Sequence, residues 1–191
     1  GIINEDEIPF TKDIISVWQG DITTLKCDAI VNACNSYLLG CFIPSHKCID
    51  NAIHTYAGMQ LREECNNIMK GNKLPNGEAV LTNAYNLPSK YVIQTVGPIS
   101  SKYPTEKNKE DLSNCYYNSL ELAKDNNIKS IAFPCISTGL YGFDQEEASK
   151  IAIKTVIDYL KENKNVFDHI IFNVFTDKDL EIYTKNIKVV E

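Results

Sequence analysis

Cys41, His46 and Cys48 form a Cys-x4-His-x-Cys pattern across a loop that contains Pro44. Two soft thiolates and an imidazole packed that closely suit Zn2+. Three protein ligands with a fourth position open are the arrangement of a catalytic zinc, whereas structural zinc closes all four. The competing reading is coincidence. Cys27, Cys34, Cys41 and Cys48 recur at a regular spacing that could mark a helical stripe, but Gly40 and Pro44 break any helix through it. On the residues alone, zinc and incidental cysteines both stand.

A second group has the form of an anion loop. Ser137-Thr138-Gly139-Leu140-Tyr141-Gly142 follows the apolar run Ser130-Ile131-Ala132-Phe133 and precedes a helical pattern. Hydroxyls, two glycines and main-chain N–H groups near a helix start can cradle a phosphate. The stretch fits neither GxxxxGK(S/T) nor GxGxxG, and such a loop is also an ordinary connection. Gln19-Gly20-Asp21-Ile22-Thr23 and Val31-Asn32-Ala33-Cys34-Asn35 likewise come directly after strand-like runs, where open α/β sheets bind ligands.

The elements that must position these residues follow from periodicity. Strands are expected at 14–18, 28–32, 79–81, 91–96, 130–133 and 170–175, most of them continuous apolar runs. Helical spacing covers 47–69 with a break near Gly58, then 108–126, 145–162 and a last stretch from about Lys178. Alternating strands and helices imply an α/β fold, a largely parallel sheet with helices on both faces. Residues 1–12 read as an N-terminal tail or the remnant of an upstream extension, and 13–191 as one domain. The leading Gly, where Met would start a native chain, fits an excised fragment.

Composition bounds the rest. The chain has 191 residues, 19 basic and 25 acidic, for a formal charge of −6. That balance argues against a nucleic-acid duplex as partner. No apolar run approaches the ~18 residues of a membrane span, and the acidic start does not read as a signal peptide. Seven cysteines, an odd count without export signals, point to the cytoplasm.

Five segments together resemble the macrodomain family. Gly-Asp-Ile-Thr at 20–23, Asp-Ala-Ile-Val-Asn-Ala-Cys-Asn at 28–35, Ile-Asp-Asn-Ala-Ile-His at 49–54, Thr-Val-Gly-Pro at 95–98 and Ile-Ser-Thr-Gly-Leu-Tyr-Gly-Phe at 136–143 occur in that family's order. The resemblance covers about residues 14–188 and implies a three-layer α/β/α sandwich around a mixed, largely parallel sheet. Hydrolytic macrodomains usually carry a run of glycines before the Asp-containing segment. Here the Cys/His loop replaces it and the Asp is kept as Asp50. That is similar to the zinc-containing branch, whose members remove ADP-ribose from proteins. They often sit beside a sirtuin-type ADP-ribosyltransferase and a lipoylated carrier protein, and commonly have an N-terminal helical extension that this chain largely lacks.

The resemblance implies a role for each position. Asp21 accepts from the adenine amino group, with the Ile22 N–H nearby, and Phe175 packs on the adenine. Ser137, Thr138, Gly139, Leu140, Tyr141 and Gly142 cradle the diphosphate, and Asn35 bonds the distal ribose. Asp50 and a zinc on Cys41, His46 and Cys48 flank the anomeric carbon, with Asp50 orienting water or acting as general base. Each has a plainer reading. Asp21 is also a helix cap, Phe175 a core residue, Asn32 a loop fastener and His54 a hydrogen-bonded packing residue. His169 reads as surface with no partner, and Cys65 and Cys115 as core.

The activity so implied is zinc-dependent hydrolysis of mono-ADP-ribose from protein side chains, with acidic acceptors and free ADP-ribose as product. The alternatives are a reader that binds without cleaving and a structural zinc clip with Cys34 as fourth ligand. A dinucleotide-dependent enzyme is disfavoured by the missing GxGxxG.

Overall fold

A computed structural model describes residues 1–36, 38 and 49–190. In chain order its strands are β1 (Ile3–Asn4), β2 (Ile15–Gln19), β3 (Leu25–Lys26), β4 (Ala29–Ala33), β5 (Ala79–Asn83), β6 (Tyr91–Thr95), β7 (Ser130–Phe133) and β8 (His169–Val174). The helices are α1 (Ile49–Ala57), α2 (Met59–Met69), α3 (Glu106–Asp125), α4 (Gln145–Glu162) and α5 (Asp177–Val189). The main sheet runs β2-β8-β7-β4-β6-β5, parallel throughout except that β5 lies antiparallel to β6 at one edge.

Alternation along the central strands divides the core in two. Val31, Ile131, Phe133, Ile170 and Phe172 face Leu112, Tyr116, Leu120, Ile153 and Ile187 from α3, α4 and α5. Their sequence neighbours Ile30, Ala132 and Ile171 pack instead with Ile53, Leu61 and Cys65 of α1 and α2. Successive side chains of a strand point to opposite faces, so a strand buried on both sides must be apolar at nearly every position, as β7 and β8 are. The fold is the expected α/β/α sandwich.

Local signals set the helix ends. Gly58, at φ +97°, separates α1 from α2, a conformation that glycine adopts without a Cβ penalty. Asp144 accepts from the Glu147 N–H at 3.0 Å and starts α4, a side-chain cap on an otherwise orphaned donor.

Residues 1–12, read from the sequence as a tail or the remnant of an upstream extension, are fastened to the domain. β1 pairs in parallel with β3, Ile3 opposite Leu25, and Ile8 is buried. Glu5 pairs with Nδ1 of His169, and Ser16 donates to Pro9 O at 2.8 Å. His169 is therefore buried and partnered, not a surface residue. Among the described residues no helix is long and apolar enough to cross a membrane.

Candidate active site

The chain leaves β4 toward β5 and β6 on one side of it, then returns through α3 to place β7 on the other. Such a reversal opens a crevice at the carboxyl ends of the strands, and three loops meet along that end.

The first comes off β2. Gly20 N–H donates to Val174 O at 3.1 Å, carrying the β2–β8 pairing one residue beyond the strand. Asn173 Nδ2 donates to Gly20 O at 2.9 Å and holds the turn to β8. Asp21 then caps the one-turn helix Ile22–Thr24, its Oδ1 accepting from the Thr23 N–H at 3.0 Å and the Thr23 hydroxyl at 2.6 Å. The cap reading of Asp21 is correct as geometry, and the residue stays exposed. Phe175 ends β8 beside it and is 78% exposed, so its ring is not core.

The second loop joins β7 to α4. Ser137 at φ +67°, Gly139 at φ +76° and Gly142 at φ +76° turn it sharply. Phe143 N–H closes it on Ser137 O at 3.0 Å, and Thr138 Oγ1 donates to Cys135 O at 3.0 Å. Gly139, Leu140 and Tyr141 make a single helical turn. A Cβ on Gly139 would meet nothing within 4 Å, whereas one on Gly142 would lie 2.5 Å from Ser100 O. Gly139 faces open space and Gly142 a wall. That wall is the segment after β6: Ser100 N–H donates to Tyr141 O at 2.7 Å, and a Cβ on Gly97 would strike Ser137 Oγ at 2.2 Å. The Thr-Val-Gly-Pro stretch at 95–98 thus supports the loop.

The third group gathers at the end of β4. Asp50, in the first turn of α1, is only 5% exposed. Its Oδ1 accepts from Asn32 Nδ2 at 2.8 Å, and its carboxyl also accepts from the Asn35 main-chain N–H. Burial pushes its pKa up from the usual carboxylate range to about 6, against the pull of those two donors and of Arg62. A carboxyl of that basicity, ionised near neutrality, is suited to take a proton. His54 lies one turn on, its Nε2 3.5 Å from Asp50 Oδ1. Burial, helped by Arg62, lowers its pKa to about 4, so the ring is neutral. Neither ring nitrogen has a hydrogen-bond partner among the described residues. Among the described residues His54 packs against its neighbours without a hydrogen bond.

Asn32 is missed as a site residue by sequence reasoning, and so is Gln94, which accepts from Asn32 Nδ2 at 2.8 Å. The available signal was a polar residue inside the apolar run of β6. Cys34 is buried and its thiol donates to Thr95 O at 3.2 Å. Cys41, His46 and Cys48 lie outside the described residues, and among those described no three His, Cys, Asp or Glu side chains gather as a metal site.

Two other features fail as sites. Ser16 Oγ lies 2.6 Å from His169 Nε2, with Glu5 on Nδ1, which has the outline of a nucleophile, base and orienting acid. The Ser16 hydroxyl is fully buried and gives its proton to Pro9 O, so it cannot attack. A surface hollow of about 400 Å3 on α2, lined by Glu63, Glu64 and Tyr85, lies away from the strand ends and gathers no such chemistry.

From Asp21 on β2 to Asn35 beyond β4 the crevice spans three inter-strand steps, roughly 14 Å at the usual sheet spacing. An exposed aromatic and a carboxylate stand at one end, a glycine loop at the middle and a buried carboxyl at the other. Fold and crevice define an α/β/α domain with an elongated crevice along its strand ends. A family model described as Macro domain matches residues 31–152, and the chain belongs to that family.

It is 50% identical over 182 residues to a protein-ADP-ribose hydrolase of Staphylococcus aureus strain MSSA476, covering 94% of this chain and 68% of that one. It is 49% identical over 173 residues to the human ADP-ribose glycohydrolase MACROD2, covering 91% of this chain and 39% of that one. The Trypanosoma brucei macrodomain solved in complex with ADP-ribose superposes with a TM-score of 0.84 at 32% identity, covering 96% of this chain and 76% of that one.

Proposed function

We propose that the chain is a protein mono-ADP-ribosylhydrolase, cleaving the bond between the distal ribose C1″ and a protein side chain to release ADP-ribose. The observation that carries this is Asp50: a buried carboxyl held by Asn32 and the Asn35 N–H. It stands at the strand end opposite Asp21 and Phe175, in a chain half identical to a protein-ADP-ribose hydrolase. Asp21 and the Ile22 N–H take the adenine edge, and Phe175 packs on its face. Ser137 to Gly142 offer main-chain N–H groups to the diphosphate. Asn35 holds the distal ribose, and Asp50 accepts a proton from the attacking water as the bond to the acceptor breaks.

The acceptors are acidic side chains, a lipoylated carrier protein and a sirtuin-type ADP-ribosyltransferase are partners by family association, and the setting is the cytoplasm. The resemblance and the odd cysteine count support these finer points. The chemistry of the donor set supports Zn2+ on Cys41, His46 and Cys48, in the segment that leads directly into α1 and Asp50. When bound, zinc supplies a Lewis acid beside the anomeric centre.

The test is release of ADP-ribose from a mono-ADP-ribosylated acidic acceptor, by wild type and Asp50→Ala, with and without a strong chelator. Wild type turns over, Asp50→Ala loses about 10²–10⁴ in rate and keeps its affinity for ADP-ribose within a few-fold. Tight binding of the modified acceptor without turnover makes the chain a reader and ends the hydrolase reading.

A further inference from the structure

We propose that Thr82 and Gln94, both buried behind the crevice, are positioning residues that set the orientation of Asn32 and thereby hold the Asp50 carboxyl in place. The inference rests on the hydrolase reading of Asp50 above.

A line of hydrogen bonds crosses three strands. Register places Thr82 of β5 opposite Val92 of β6, and Gln94 of β6 opposite Asn32 of β4. The Thr82 hydroxyl donates to Val92 O at 2.9 Å, and Gln94 Nε2 donates to Thr82 Oγ1 at 3.3 Å. Asn32 Nδ2 donates to Gln94 Oε1 and to Asp50 Oδ1, each at 2.8 Å. Thr82, Gln94 and Asn32 are all buried from solvent.

The polarity of this line is fixed from the Val92 end, and Asp50, accepting from Asn32, agrees with it. A primary amide can rotate to exchange its oxygen and nitrogen, and a hydroxyl can swing. The main-chain carbonyl of Val92 can do neither: it only accepts. It therefore draws the Thr82 proton, which leaves Thr82 Oγ1 as an acceptor and obliges Gln94 to turn its NH2 toward it. Gln94 Oε1 must then face Asn32, and Asn32 must answer with its NH2, whose second proton goes to Asp50.

Asn32 Oδ1 supplies an independent sign that this orientation is imposed. It is buried and has no partner among the described residues, so the amide is not held by anything its oxygen gains. If the line were reversed, Asn32 would aim Oδ1 at the Asp50 carboxylate. Oxygen would then face oxygen, and the Asp50 carboxyl would lose its Asn32 hydrogen bond and swing away.

Three variants of the whole chain test this, each assayed for kcat and KM on a mono-ADP-ribosylated acidic acceptor and for ADP-ribose affinity by calorimetry. Thr82→Val removes the hydroxyl at constant shape; kcat should fall about 10–100-fold, the scale of losing an outer partner of a reactive group, with ADP-ribose affinity unchanged within twofold. Thr82→Ser should restore kcat to within about threefold of wild type, because only the hydroxyl matters. Gln94→Met should fall at least as far as Thr82→Val, since it removes the strand-side acceptor that orients Asn32 toward Asp50. A folded Thr82→Val or Gln94→Met protein with wild-type kcat overturns the proposal. Equal losses in Thr82→Val and Thr82→Ser overturn it too, because they assign the effect to packing. Asp50→Ala run alongside separates the two levels. If it keeps full turnover, the hydrolase role of Asp50 is wrong. If it is inactive while Thr82→Val is normal, only the positioning role is wrong.

Discussion

Asp50 and His54 should cancel one another's pH dependence of stability, and removing either should expose the other. Burial raises Asp50 from 3.8 to about 6, so folding favours its neutral form. Its contribution is complete below pH 3.8 and is lost as pH rises through 6. Burial lowers His54 from 6.5 to about 4, so its contribution is complete above pH 6.5 and is lost as pH falls through 4. Between pH 4 and 6 the folded pair holds one proton on Asp50, and the unfolded pair holds one proton on histidine. The proton counts match, and linkage then gives no slope from the pair.

In Asp50→Asn only the histidine remains. Relative to wild type, that variant should lose about 1.4 kcal/mol per pH unit on acidification, about 3 kcal/mol between pH 6 and 4. In His54→Gln the sign reverses, and the variant should gain on wild type by a similar amount over the same range. The assay is urea unfolding of the three proteins at half-unit pH steps, with a chelator throughout so that only protons titrate. Differences between variants remove the carboxylates elsewhere. Parallel stability curves for wild type and Asp50→Asn from pH 6 to 4 would refute the reasoning, because they would mean that one of the two groups is not held in its neutral form.

Asp21→Ala should weaken ADP-ribose binding by about 1–3 kcal/mol and also lower the melting temperature modestly, since it removes a cap; unchanged affinity by calorimetry would leave Asp21 as a cap only. Gly139→Val should cost stability, because φ +76° strains a β-branched residue, and should also cost affinity, because its Cβ, which meets nothing in the protein, crowds the space assigned to the diphosphate. Gly142→Val should lose more stability than Gly139→Val, because the same positive φ is joined by a clash, its Cβ falling 2.5 Å from Ser100 O, and melting curves compare the two. Metal analysis should find close to one zinc per chain in wild type and little in Cys41→Ala or His46→Ala, and fully active metal-free wild type would end the zinc proposal.

What could be read from the sequence was whatever repeats locally. The expected helix at 145–162 coincides with α4, and the break near Gly58 with the α1–α2 junction. Loops that hang on one strand end, such as 137–142, were found because their composition is local as well. What escaped depends on partners far apart in the chain. His169 gives no hint of Glu5 or Ser16, which reach it only through β2–β8 pairing and the folding back of residues 3–10. Because those ties are invisible locally, a polar stretch with Pro9 reads as a tail. Gln94 becomes meaningful only when register sets it opposite Asn32, and a single buried amide in an apolar run does not announce its neighbour.

The pairing of β2 with β8 has a consequence for synthesis. β2 is an edge strand whose ladder partner is β8, so a strand translated early in this domain waits for one translated much later. At ~5–20 residues per second the delay is on the order of ten seconds, during which an apolar strand has no partner for its main chain and can find a wrong one. The two ends of the crevice therefore mature at different times. Asn32, Asp50, Thr82 and Gln94 lie on elements that are all translated once β6 is out, whereas Asp21 has no Phe175 beside it until β8 arrives. A nascent chain therefore acquires Asn32, Asp50, Thr82 and Gln94 well before Asp21 gains Phe175 as its neighbour.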